Sequence, residues 1–248
     1  MRSVAIVGVG LIGGSFARAL RQAGFAGEIV GVSSPATIAK ATGVVDRGVT
    51  LEEAAACDLV FLAQPIFGII ETLGRLQTTA LVTDAGSTKR AICQAAAHLP
   101  NFLGGHPMAG KEVSGVENSD AELFRGRPWI LTSTPPPEFR EWLERIGARV
   151  MILGAEEHDH LVALSSHVPQ LISNAIAKVS APARAVAGPG LESMTRLSRS
   201  SFSLWRDIIA TNRDEIGMAL DDYIAAIQAQ RDALRRGDDE LLFGHRDP

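Results

Sequence analysis

The chain predicts an α/β fold: a doubly wound, mostly parallel sheet, followed by a smaller all-α part. Three observations carry this. Short apolar runs alternate with helix-like runs over the first 150 residues or so, glycines cluster where the first strand meets the first helix, and strand signals stop near residue 154. The expected boundary therefore divides 1–153 from 154–248. Ser3–Val7 reads as a strand, Leu11–Ala23 as a helix and Glu28–Ser33 as a second strand, after which Ser34-Pro35 supplies an N-cap and a proline at the first helical position. Further strands are predicted at Asp58–Ala63, Ala80–Asp84, Phe102–Gly104, Trp129–Thr132 and Arg149–Leu153, with helices at Ile66–Leu76, Thr88–His98 and Pro136–Ile146. Apolar strands separated by helices are the pattern of a parallel sheet covered on both faces. Beyond it Glu156–Val179 reads as helix and Ser180–Gly190 is broken by prolines and glycines. Asp207–Arg236 reads as one long amphipathic helix, with Ile216, Leu220, Tyr223, Ile224, Ile227 and Leu234 on one face and Gly237 as its C-terminal cap. So short a helical part makes a thin core of its own, which predicts a homodimer formed through these C-terminal helices.

Composition excludes several classes. At 248 residues, 46% hydrophobic and 21% charged, the chain is an ordinary globular protein, and a net charge of −4 argues against nucleic acid or an acidic membrane as partner. An anionic ligand then needs locally gathered cations. Two cysteines, Cys57 and Cys93, are too few for a disulfide framework or a metal cluster. They read as small core residues in a reducing, cytoplasmic setting. A charged residue at position 2 leads straight into a strand, so no signal peptide is expected. The apolar stretch 161–179 carries Ser165, Ser166, His167, Gln170 and Asn174, the polar stripe of a buried helix and not of a membrane span.

Gly8, Gly10 and Gly13 form GxGxxG with Leu11 and Ile12 between, after a strand and opening a helix. That context makes the sheet Rossmann-type: Gly8 for the tight turn, Gly10 for approach of a pyrophosphate, Gly13 for helix–strand packing, and helix N–H groups for the anion. A strict NAD enzyme ends its second strand with a carboxylate for the ribose 2′-hydroxyl. Here Ser33 and Ser34 stand instead, which favours NADP or dual use over NAD alone, with Ser34 as a mere helix cap the competing reading. Gln64 and Pro65, after the strand at 58–63, are placed to line a ribose, and Asp84, ending the next strand, is counted with the cofactor.

The chemistry is expected at Gly104-Gly105-His106-Pro107-Met108-Ala109-Gly110 and at Thr83-Asp84-Ala85-Gly86-Ser87-Thr88-Lys89, because ligands gather at the carboxyl ends of such strands. An imidazole, with an ordinary pKa of about 6.5, takes a hydroxyl proton as a hydride leaves the same carbon. Ser87 beside His106 also suggests nucleophilic catalysis, but no third, orienting acid is visible. His158 and His160 lie at i and i+2, which do not share a helix face, so Glu157-His158-Asp159-His160 reads as a solvated helix start and no metal is expected. His167 is equally a core histidine or a site-lining one. Arg206 is a better candidate than Arg213 for an anion-attracting surface, and His98 and His245 look incidental.

From Val4 to about Tyr223 the chain resembles the prephenate/arogenate dehydrogenase family. The resemblance rests on GVGLIGGS at 8–15, TDAGSTK at 83–89, GGHPMAGKEVSGVENS at 104–119, SHVPQ at 166–170, and Thr195-Arg196 followed by Trp205-Arg206-Asp207. It implies oxidative decarboxylation of a cyclohexadienyl dicarboxylate in tyrosine biosynthesis, with prephenate, arogenate or both as substrate. By position it implies His106 as proton acceptor, Ser87 as hydrogen-bond partner to the reacting hydroxyl, the histidine or the nicotinamide, and Arg196 as the cation on the ring carboxylate. Lys111, Glu112, Gln170 and Trp205 match substrate-site positions, and His167 is counted with them. Many relatives carry histidine where this chain has Gln170, and some carry an acid where it has Ser193. The chain is expected to lack a regulatory ACT domain and a fused chorismate mutase. A 3-hydroxyacid dehydrogenase or imine reductase is the nearest other enzyme, and a non-catalytic dinucleotide sensor the reading from another class.

Overall fold

A computed structural model describes residues 1–243; His245 lies outside the described residues. Two compact units emerge, Met1–Asp159 with Ser200–Thr211, and His160–Arg199 with the chain from Asn212 onward. The short segment 200–211 thus groups with the first unit although the residues flanking it group with the second.

The first unit is built on six parallel strands: β1 (Ser3–Val7), β2 (Glu28–Val32), β3 (Arg47–Gly48), β4 (Leu59–Leu62), β5 (Leu81–Asp84) and β6 (Phe102–Leu103). Their order is β3-β2-β1-β4-β5-β6, so the chain reverses direction of travel between β1 and β4, where open α/β sheets hold ligands. Strand periodicity divides β4 between two cores: Leu59 and Phe61 face Phe16, Leu20 and Trp129, while Val60 and Leu62 face Ile69, Leu73 and Ile92. Helices α1 (Leu11–Gln22), α2 (Pro35–Lys40), α3 (Leu51–Ala54), α4 (Ile66–Arg75), α5 (Arg90–Ala95) and α6 (Pro137–Arg145) connect and cover the strands.

The expected strand at 102–104 proves to be two. β6 stops at Leu103, and β7 (Gly105–Pro107) turns into a second sheet, where it runs antiparallel to β8 (Pro128–Leu131), which pairs in parallel with β9 (Arg149–Ile152). The break follows from polar groups competing for Gly105: its N–H goes to Asp84 Oδ1 at 2.9 Å and its carbonyl accepts from Lys89 Nζ at 2.7 Å. His106 is therefore the middle residue of β7.

The remaining helices are α7 (Ala155–Val162), α8 (Val168–Val179), α9 (Pro189–Thr195), α10 (Phe202–Thr211), α11 (Arg213–Arg236) and α12 (Glu240–Phe243). The continuous helix expected over 156–179 contains a π-helical turn, Ala163–His167. The single helix expected over 207–236 is interrupted at Asn212, which is fully buried and faces His167 Nδ1 at 3.2 Å, while Asp214 and Glu215 sit in the first turn of α11 where acids favour a helix start. Gly237 caps α11 in the left-handed region, as the sequence predicts. Among the described residues no helix is long and apolar enough to cross a membrane.

Candidate active site

The loop between β1 and α1 turns on Gly8, whose φ of 95° suits glycine and whose missing Cβ leaves room for the Ala63 backbone 2.8 Å from where it would stand. At Gly13 a Cβ would meet Gly8 O at 2.3 Å, so α1 approaches the strand only with glycine there. Leu11 and Ile12 are half-buried at the helix start. The first intrahelical bond over this turn runs from Gly14 N to Gly10 O, so the amides of Leu11, Ile12 and Gly13 precede it, and no side chain caps them. Beside the loop lies a cavity of about 500 Å³ lined by Gly8, Gly10, Ser33, Ser34, Gln64 and Pro65. Uncapped amides, a backbone stripped of side chains and an adjoining cavity fit a dinucleotide.

A Cβ on Gly10 would meet nothing within 4 Å. Gly10→Ala is therefore expected to fold normally yet raise the cofactor KM by roughly tenfold, the ~1.4 kcal/mol of one lost close approach. An unchanged KM would show that the pyrophosphate sits elsewhere.

Among the polar side chains on this cavity, sequence reasoning did not assign Thr37, Lys40 and Glu117 to the cofactor. Ser34 caps α2, accepting from Thr37 N at 3.2 Å, and Thr37 and Lys40 follow at three-residue steps on the same helix face. That spacing was a usable signal. Lys40 Nζ stands 3.9 Å from Glu117 Oε1. Asp84, expected among the cofactor residues, is a correction. It is fully buried, with Oδ2 accepting from Gly86 N at 2.8 Å and from Lys89 Nζ, and Oδ1 from Gly105 N. A carboxylate enclosed by three donors has nothing left to offer a nucleotide.

The Asp84–Lys89 pair locks the loop carrying Ser87 to the strand carrying His106. Ser87 is half-buried on that loop, and its neighbour Thr88 bonds Thr211 of α10 at 2.8 Å. His106 is 9% exposed. Its Nδ1 lies 2.8 Å from His158 Nε2, and His158 Nδ1 lies 2.8 Å from Asp159 Oδ1. His158 is fully buried, which corrects the solvated helix start expected there. The acids around it in sequence misled: Asp159 is not solvated but buried at the N-terminus of α5, accepting from Lys89 N at 2.7 Å and Arg90 N at 2.9 Å. Burial pushes the Asp159 carboxyl up. The hydrogen bonds from His158 and from the Arg90 and Lys89 amides outweigh it and hold the group below the usual carboxylate range. Its contribution to stability is thus present above the unfolded carboxylate range and is lost as pH falls through the depressed folded value. A buried acid thus stands two hydrogen bonds away from His106, invisible in the sequence.

Cys93 lies beside Gly104, and burial pushes its thiol up to about 11, which keeps it inert at neutral pH. Lys111 is exposed and pairs with Asp120 at 2.8 Å; Glu112 is exposed on the same loop. Trp205 of α10 packs half-buried against the core containing Ile69 and Leu73, while Arg206 is exposed beside Asp207.

In the second unit Arg196 is exposed at the head of a 3₁₀ turn, Arg196–Arg199. Gln170 is buried, with its amide nitrogen donating to Leu197 O at 2.7 Å and to Asn174 Oδ1 at 3.1 Å. It anchors the turn that bears Arg196. Its amide nitrogen is engaged by those two bonds. His167 is likewise buried, against Asn212.

Comparison with known proteins accords with this geometry. A family model described as the prephenate dehydrogenase nucleotide-binding domain matches residues 16–156, and one described as the prephenate dehydrogenase dimerization domain matches residues 154–245. The prephenate dehydrogenase of Lactococcus lactis subsp. cremoris is 33% identical over 86% of this chain, which spans 65% of that protein's length. A crystal structure of Aquifex aeolicus prephenate dehydrogenase with hydroxyphenyl propionate and NAD+ is 30% identical with a TM-score of 0.87, covering 98% of this chain and 94% of that one. Synechocystis arogenate dehydrogenase is 30% identical with a TM-score of 0.83, covering 97% and 95%. The chain belongs to the prephenate dehydrogenase family.

Proposed function

We propose that this chain catalyses the NAD(P)-dependent oxidative decarboxylation of prephenate to 4-hydroxyphenylpyruvate, a step of tyrosine biosynthesis. The observation that carries the reading is His106, held in a buried hydrogen-bonded chain on the strand locked to the Ser87 loop. His106 takes the proton of the ring hydroxyl, with Ser87 as hydrogen-bond partner at that oxygen. A nicotinamide bound at the fingerprint loop would supply the acceptor for the hydride of the hydroxyl-bearing carbon. Arg196 holds the ring carboxylate as a planar, permanently charged fork until it leaves as CO₂, and Lys111 and Glu112 border the substrate. Loss of the carboxylate aromatises the ring, and the oxygen regains a proton. Arogenate presents the same ring, hydroxyl and carboxylate, so the same groups serve it. Steady-state assays of both substrates with both cofactors test the proposal; no turnover in any combination removes it.

We further infer that NADP is accepted. No carboxylate ends β2 on the cavity wall, where Ser33, Ser34, Thr37 and Lys40 stand instead. Lys40 is the cation for a 2′-phosphate, exchanging its Glu117 partner for it. Lys40→Ala is expected to raise KM for NADP several-fold, about 1 kcal/mol for an exposed charge contact, and to leave KM for NAD unchanged. Equal effects on both cofactors would remove the assignment.

A homodimer through the C-terminal helices is supported by the dimerization-domain match and by Ile224, Ile227 and Leu234 of α11, which are 44–64% exposed. A monomer mass in sedimentation would oppose it. The two free thiols support a cytoplasmic location.

A further inference from the structure

We propose that His158 and Asp159 are positioning residues that fix the tautomer of His106, placing its proton on Nδ1 and its lone pair on Nε2. The inference rests on the reading of His106 as the proton acceptor and explains how that role is enforced.

Asp159 accepts backbone N–H groups from Lys89 and Arg90 and stands at the N-terminus of α5, so its oxygens act as acceptors. The nitrogen facing Asp159 Oδ1, His158 Nδ1, must then be the one that carries hydrogen. A neutral imidazole has one N–H, so His158 Nε2 is an acceptor. The nitrogen 2.8 Å from it, His106 Nδ1, must in turn donate. His106 Nε2 is left with the lone pair. One carboxylate charge and one proton per ring satisfy both links. The opposite arrangement, a doubly protonated His158, would place the His106 proton on Nε2 and leave no base.

The rings meet edge to face at 66°, with centroids 5.1 Å apart, and His158 and Asp159 are fully buried, so water does not compete for either link. When the substrate O–H bond breaks and the Nε2–H bond forms, His106 becomes a cation. The Asp159 charge, reaching it through His158, stabilises that cation. The chain of bonds also sets the ring angle of β7's central residue against a helix that begins much later in sequence, at Ala155.

The test is long-range ¹H–¹⁵N spectroscopy of histidine-labelled protein with its cofactor at pH 8, with His106 resonances assigned by their loss in His106→Asn. The expected spectrum has Nδ1 protonated and Nε2 unprotonated. In Asp159→Asn the His106 ring is expected to shift toward the Nε2–H form, and kcat to fall roughly 10²–10⁴-fold, with KM and cofactor affinity nearly unchanged. His158→Gln keeps an amide oxygen for His106 Nδ1 and is expected to retain the tautomer and a higher kcat than His158→Leu. A wild-type proton on Nε2, full kcat in Asp159→Asn, or equal kcat in the two His158 variants overturns the proposal. Full activity of His106→Asn would instead remove the base reading, while the spectrum still decides the tautomer.

Discussion

His106→Asn is expected to lower kcat by about 10²–10⁴-fold, the usual worth of a positioned general base. Asparagine is close in size and polar, but it has no basic nitrogen. His106 is not among the residues lining the dinucleotide cavity, so cofactor affinity is expected to hold. KM for the substrate is expected to change little, because proton transfer belongs to the transition state and not to ground-state binding. The acidic limb that a histidine base imposes on kcat/KM is expected to disappear with it. Rapid-mixing absorbance of the reduced nicotinamide checks the rate, and fluorescence titration checks the affinity. An unchanged kcat would show that another group takes the proton.

The contrast between His106 and its partners shows what the sequence makes legible. The fingerprint, the strands β1, β2, β4 and β5 and the caps at Ser34 and Gly237 are local patterns: glycine spacing, short apolar runs and a helix-start pair are each decided within a few residues. The mostly parallel pairing followed from their alternation with helices. His158 was not legible, because its neighbours Glu156, Glu157, Asp159 and His160 are what an exposed helix start looks like. Only the fold brings the α5 amides to Asp159 and so makes burial of a carboxylate tolerable. The division of Phe102–Gly104 into two sheets has the same origin, a buried ion pair drawn from β5 and its loop. Asn212 gave a fainter signal. Asn-Arg-Asp-Glu resembles a helix N-terminus, a signal that the reading of 207–236 as one helix passed over.

Lys89→Met is expected to destabilise the first unit by about 3–5 kcal/mol, the cost of removing one partner of a buried pair. Both side chains of the Asp84–Lys89 pair are fully buried. Methionine fills much of the lysine's volume, so the loss is electrostatic and not a cavity. What remains is a carboxylate held by the Gly86 and Gly105 amides without its cation. Asp84→Asn combined with Lys89→Met removes the stranded charge and keeps an oxygen for one amide, so the double variant is expected to recover part of the loss. Denaturant midpoints of the wild type, the two single variants and the double variant give the coupling directly. If Lys89→Met costs as much in the Asp84→Asn background as in the wild type, the charge pair is not the source. The activity of the double variant makes the second measurement. Lys89 Nζ also holds the Gly105 carbonyl, one residue before His106, so its removal loosens the strand that presents the base. Stability regained without kcat regained is the expected signature of a pair that serves both to hold the sheet and to aim the histidine.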